Sequence, residues 1–238
     1  MQNREWHFDK KSYKPGPWDD EPDKLQFMTM AGLPGLIIRG PMGALCGYVG
    51  VQKEHPLYGV HYNKEMDILA SLLEKRLNEP MGENPSFNVL ISAVLGCEVE
   101  KSPEAVFTVH GGLTFSSHCS KPTRERWEQW RKSMIDRKDE AVMYPSGDIA
   151  RAWIDRGDQV EDYEAYAKWT ELRAICHVPE PHESDDVWYF GFDCSHCDDL
   201  IPMMLEYGFN SMRNSIYRDV EYVRKEVESL AAQLVDVA

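Results

Sequence analysis

The sequence predicts an α+β fold: a small mixed or antiparallel sheet, a long C-terminal helix packed on it, and helical insertions. Three observations carry this. Short apolar runs bounded by glycine or polar residues, at Leu36–Arg39, Leu45–Val51 and the start of Trp188–Asp199, read as strands. Met66, Leu69, Leu73 and Leu77 recur at helical spacing over Asn63–Asn78. Ile216, Val220, Val223, Val227, Leu230 and Leu234 alternate spacings of four and three over 214–235, a heptad seam.

The whole of 1–238 reads as a single domain with an irregular N-terminal arm and two insertions. The arm, 1–24, carries Pro15, Pro17 and Pro22 among charges, with Trp6, Phe8, Tyr13 and Trp18 as anchors. Strands follow at Leu36–Arg39 and Leu45–Val51, where Gly47 and Gly50 mark a close approach of another group. His55-Pro-Leu-Tyr58-Gly59 is a turn that can present an imidazole and a phenol. Residues 80–104 are loop-rich around an apolar piece at Val89–Leu95. Ala105–Phe115 alternates as a strand that ends its polar face on His110, directly before Gly111-Gly112. Residues 120–185 form a polar, mostly helical excursion with aromatic stripes at Trp127, Trp130 and Met134, and at Tyr163, Tyr166 and Trp169. The C-terminal helix lies across the sheet or pairs with a copy of itself, which would make a homo-oligomer through 214–235.

Composition excludes several classes. Hydrophobic residues make up 42% of 238, enough for a core. A net charge of -14 disfavours nucleic-acid binding, which needs basic surface against phosphates. No apolar stretch is long enough to span a membrane, and the polar start MQNREWHFDKK is no signal peptide. Six cysteines without a secretory signal are expected as thiols or metal ligands in a reducing cytoplasm. There is no G-x-x-x-x-G-K-[ST], no strand-borne G-x-G-x-x-G and no G-x-S-x-G.

The densest chemistry lies in WYFGFDCSHCDD, Trp188–Asp199. Asp193, His196 and Asp199, met by His110 from another strand end, form the first candidate constellation. Two carboxylates and two imidazoles can form a catalytic acid–base set in which Asp orients His. His110, Asp193 and His196 can also ligate a divalent metal ion, the cofactor this constellation suggests. The bland alternative is an N-cap aspartate plus surface charge. Cys46, His55, Tyr58, Gly111 and Gly112 are the expected ligand-lining residues. A second constellation, Cys194-Ser-His-Cys197, has the C-x-x-C spacing of a thiol redox motif. A third adds His118-Cys119 to it as a structural zinc site. Too little chain follows Cys197 to complete a thioredoxin-like sheet, so the redox likeness is local.

Four blocks carry a wider likeness: CGYVGV with HPLYG, VHGGLTF, WYFGFDCSHCDD and YRDVEYVRKEVESLAAQL. Together they resemble an uncharacterised protein family found mainly in bacteriophage and prophage genomes. The blocks cover part of the chain and are separated by insertions at 63–104 and 120–185. The family's stretch after the strand is similar to FDCAHAGD, which matches Asp193, Cys194, His196 and Asp199 here. Cys197 departs from it, which weakens the redox and zinc readings. The resemblance implies a non-structural phage protein acting in the host cytoplasm and supplies no reaction. The functional expectation is therefore a His/Asp pocket that binds or hydrolyses a small, nucleotide-like ligand, with a counter-defence role. The sequence leaves open whether the protein is an enzyme. The rival expectation is a non-enzymatic acidic protein that binds a host protein.

Overall fold

A computed structural model describes residues 1–7, 14–78, 101–119, 173–206 and 215–237, with isolated positions between 123 and 171. The chain divides into two compact units, Met1–Cys119 with Ile175–Ala238, and Ser120–Ala174. In the second unit, the Trp127 and Tyr163 rings meet edge to face and Arg124 lies over Tyr163. The expected helix stripes at Trp130, Met134, Tyr166 and Trp169, and the apolar piece at 89–95, lie outside the described residues.

The first unit is built on one sheet. Its strands are β1 (Arg4–Trp6), β2 (Lys24–Met28), β3 (Pro34–Arg39), β4 (Leu45–Val51), β5 (Phe115–His118) and β6 (Trp188–Asp193). They stand in the order β1-β2-β3-β4-β6-β5, and every neighbouring pair is antiparallel. Among the described residues of this unit, the helices are α1 (Ala70–Asn78), preceded by a 3-10 turn at Asp67–Leu69, then α2 (Pro103–Val106), α3 (Pro202–Glu206) and α4 (Val220–Val235). No described helix is long and apolar enough to cross a membrane.

Strand alternation sorts the core onto two faces. Phe27, Ile37, Leu45, Val49, Phe190 and Phe192 face one side and join Val223, Val227, Leu230, Ala231 and Leu234 of α4 in the main cluster. Leu36, Ile38, Tyr48 and Tyr189 face the other side, with Cys46 and Phe115 against them. A Cβ on Gly47 would lie 2.4 Å from the Phe192 ring and 2.7 Å from Val227. Gly50 is filled in the same way by Val187 and Tyr189. Both strand glycines therefore serve close packing.

Two expectations are corrected. Ala105–Phe115 is not a strand. Ser102 accepts the Ala105 N–H as an N-cap, Pro103 opens α2, and the backbone turns at Gly111 (φ +67°) and Gly112 (φ +90°) before β5 begins. Proline at the first helical position and glycines in the left-handed region override the alternation of side chains. The second correction concerns the thiols: Cys119 and Cys176 form a disulfide that spans 57 residues. Cys119 is thus taken out of the His118-Cys119 metal pair. Cys46, Cys194 and Cys197 are free.

A buried arginine ties the N-terminal segment to the start of α4. Arg39 is 2% exposed and gives every side-chain nitrogen a partner: Nε to Asp23 (2.6 Å), Nη2 to Glu21 (2.9 Å), and Nη1 to the Gly43 carbonyl and the Tyr217 hydroxyl, each at 2.8 Å. Burial alone would lower its pKa, but Tyr217, Glu21 and Asp23 reverse this and raise it. Glu21 also accepts the Tyr217 hydroxyl and the Val220 N–H. The turn that carries Arg218 is fixed by this network.

Candidate functional site

Four chain segments meet at Asp199. The first is the turn after α2, which presents His110. Its backbone N–H donates to Glu226 on α4 (2.8 Å), so the turn is docked on the helix. The second is the loop after β6. Asp193, the last strand residue, accepts from the Ser195 N–H and hydroxyl. That local turn, of the kind short acidic side chains make, swings the chain out of the strand direction. Asp199 then accepts the His196 N–H (3.0 Å) and closes the loop on itself. The third segment is Ser215–Asp219, held by the parallel bridge between Asp199 and Ile216, which brings Arg218. The fourth is α4, started by the Asp219 cap on the Tyr222 N–H, which brings Tyr222 and Glu226.

The carboxylate of Asp199 is 1% exposed and is shared between two sides. Oδ2 lies 2.8 Å from His110 Nε2, accepts the His196 N–H, and is 3.5 Å from His196 Nδ1. Oδ1 accepts from Arg218 Nε at 2.9 Å. Burial pushes the Asp199 pKa up, but the hydrogen bonds from His110, Arg218 and the His196 N–H outweigh it and hold the carboxyl well below the usual carboxylate range. His110 Nδ1 meets the Tyr222 hydroxyl at 3.0 Å. Both nitrogens of His110 are therefore engaged, one with an acid and one with a phenol. Burial raises the Tyr222 pKa, and Glu226 adds to the rise.

The His110 and His196 rings stand edge to face with centroids 5.4 Å apart, within reach of one ion. One ligand atom each from His110, His196 and Asp199 all lie within 4.8 Å of one another. His196 Nδ1 is buried and has no hydrogen-bond partner among the described residues. A buried ring nitrogen without a partner costs about 1–3 kcal/mol, so its position beside a carboxylate oxygen calls for an explanation.

The structure brings together His110, His196 and Asp199 of the expected set, and it does not bring Asp193 to them. Asp193 faces Cys46 across the β4–β6 ladder, on the sheet face opposite α4, and accepts from Thr114. Gly111 does accommodate a close approach, and the approaching group is His196: a Cβ there would sit 2.0 Å from its ring. Gly112 has open space around it. His55 is held elsewhere. Its Nδ1 accepts the Leu57 N–H, which leaves Nε2 to donate to the Leu234 carbonyl. Leu234 lies about 18 Å along the helix from Tyr222 at 1.5 Å per residue. Burial lowers the His55 pKa, in keeping with a neutral structural imidazole. Tyr58 bonds Asp186 and stands edge to face with His118. Burial pushes the Cys46 thiol up to about 11 and raises Cys194 further, while Cys197 is exposed. A buried thiol with a raised pKa, as at Cys194, is a poor nucleophile.

Sequence reasoning missed Arg218, Tyr222 and Glu226. The only signal for them was the block YRDVEYVRKEVESLAAQL, which begins at Tyr217 and holds all three. No family model, no curated protein and no solved structure matches this chain.

The two glycines make a matched test of the site. Alanine at either takes on the strain of the left-handed region, about 1–2 kcal/mol. Gly111→Ala must also displace the His196 ring, whereas Gly112→Ala meets nothing. Thermal melts should show both variants destabilised. Titration with Zn²⁺ should show at least a tenfold loss of affinity in Gly111→Ala alone. Equal affinity in the two variants would mean that the His196 position does not matter.

Proposed function

We propose that this protein is a metal-dependent small-ligand protein whose centre is His110, His196 and Asp199. The observation that carries the reading is the convergence of these three groups, with one buried ring nitrogen of His196 lacking a hydrogen-bond partner and lying 3.5 Å from an Asp199 carboxylate oxygen. Two imidazoles and one carboxylate suit Zn²⁺, Mn²⁺ or Fe²⁺. Three protein ligands leave coordination positions for water and a ligand, which is the arrangement of catalytic rather than closed structural sites. A bound ion would supply Lewis-acid activation of a water, the chemistry of hydrolysis.

The protein's own residues contribute orientation and charge. Asp199, ionised and shared with Arg218, would hold its oxygen toward the ion. Tyr222 fixes the second nitrogen of His110, as outer hydrogen bonds do for metal-binding histidines. Gly111 leaves room for His196 to stand over the turn. The nucleotide-like class of ligand expected from the sequence resemblance belongs to this reading as a proposal.

A second reading rests on a separate observation. Asp199, His110 and Tyr222 form one continuous hydrogen-bonded chain, and this is an acid–base relay without any ion. Equilibrium dialysis separates the two. Loaded with Zn²⁺ or Mn²⁺ and analysed by mass spectrometry, the protein should retain one ion per chain, and His196→Ala should retain none. Equal loading of the two proteins would remove His196 as a ligand and leave the relay as the better account.

A further inference from the structure

We infer that the site takes an oxyanion, a phosphoryl or carboxylate group of its small ligand, and that Arg218 is the residue that receives it. The inference rests on the metal reading above and names the ligand chemistry of that same site.

Arg218 is held in place by two contacts. Its Nε donates to Asp199 Oδ1, and its guanidinium lies over the Tyr222 ring at 4.7 Å. These use one nitrogen and one face of the group. The two terminal nitrogens have no partner among the described residues, and the side chain is 20% exposed. Contrast Arg39, also hydrogen-bonded to a carboxylate, whose nitrogens are all satisfied and which is 2% exposed. A guanidinium fixed at its inner edge and open at its outer edge is preorganised for an anion, because little side-chain freedom remains to be lost on binding.

Placement supports the same conclusion. Arg218 and the two histidines sit on opposite oxygens of one carboxylate, so the guanidinium and the metal position are neighbours. Exposure rises outward through the group, from Asp199 at 1% to His110 at 12%, Arg218 at 20% and His196 at 36%. The acid is at the bottom and the donors are at the top. Glu226, on the helix beside them, accepts the His110 N–H. In a chain of net charge -14, where Asp199 already balances Arg218, an ion at this centre would supply the positive charge that an anionic ligand needs in order to enter. An ion and a guanidinium side by side can each take one oxygen of a single phosphoryl or carboxylate group.

The test is a titration of the Zn²⁺-loaded full chain with inorganic phosphate and, separately, with acetate, in wild type, Arg218→Gln and Arg218→Lys. Phosphate or acetate should bind wild type, and Arg218→Gln should weaken binding at least tenfold when both proteins are saturated with Zn²⁺. Arg218→Lys should recover part of the loss. Whichever anion binds more tightly identifies the group. Failure of both anions to bind metal-loaded wild type, or equal binding by the glutamine variant, overturns the inference and leaves the metal site standing. Absence of Zn²⁺ binding in wild type instead defeats the metal reading. Arg218-dependent phosphate binding without metal would still support the anion site. Should the variants fail to fold, phenylglyoxal modification of the wild-type protein, mapped by mass spectrometry, reads the same contact. Phosphate should slow modification of Arg218 severalfold, and an unchanged rate overturns the assignment.

Discussion

Replacing Asp199 with alanine should abolish metal binding, lowering Zn²⁺ affinity by at least a hundredfold, and should cost the fold about 3 kcal/mol. The two effects share one cause. The carboxylate is 1% exposed and accepts from His110, the His196 N–H and Arg218. Its loss leaves a guanidinium and two donors without their acceptor. Removing one partner of a buried charged pair costs more than the pair contributes, because the remaining groups stay desolvated. Asp199→Asn tests the charge alone: shape is kept, and metal affinity should still fall. Isothermal titration and urea unfolding check the two halves.

The same group sets a pH dependence. Its pKa in the folded protein is depressed below the ordinary 3.8. A depressed carboxyl binds fewer protons folded than unfolded, so its contribution is complete above that ordinary value and is lost as the pH falls through and below it. Wild-type stability should drop on acidification below about pH 4, and Asp199→Ala should drop less steeply. Parallel curves would show that Asp199 is not a principal acid-sensitive group.

Arg39→Leu is the second large effect, about 4 kcal/mol of destabilisation. The variant takes the guanidinium from Asp23, a carboxylate 1% exposed, and from the Gly43 carbonyl and the Tyr217 hydroxyl at once. The urea midpoint should fall with an unchanged slope, the sign of a stability loss without a change in the surface exposed. A loss under about 1 kcal/mol would mean that the network is no stronger than a surface ion pair. Through Glu21, which holds Tyr217 and the Val220 N–H, the variant should also loosen the turn that carries Arg218.

How legible these features were depends on the range of the interactions that make them. Leu45–Val51 was readable residue by residue, because strand alternation is local and both faces are apolar. The C-terminal helix was readable in type and in its end. Its start was not: the periodicity runs back to Ile216, but Asp219 caps the helix and Ile216, 56% exposed, bridges to Asp199 instead. Ala105–Phe115 misled because its alternation was real while Ser102-Pro103 and Gly111-Gly112, both visible in the sequence, imposed other backbone angles. Within WYFGFDCSHCDD, the residue types pointed to a site, but the side-chain hydrogen bonds of Asp193 turn the chain, and that turn separates it from His196 and Asp199. Arg218 and the Cys119–Cys176 bond depend on contacts between distant segments, for which no local spacing speaks.

The central claim is that one ion joins His110, His196 and Asp199. Histidine ring resonances followed by NMR during a Zn²⁺ titration test it most directly. Of the eight histidines, His110 and His196 should shift together and saturate at one equivalent, while His55, held between Leu57 and Leu234, should not move. A titration that leaves His110 and His196 unmoved, or that moves only one of them, would contradict the account.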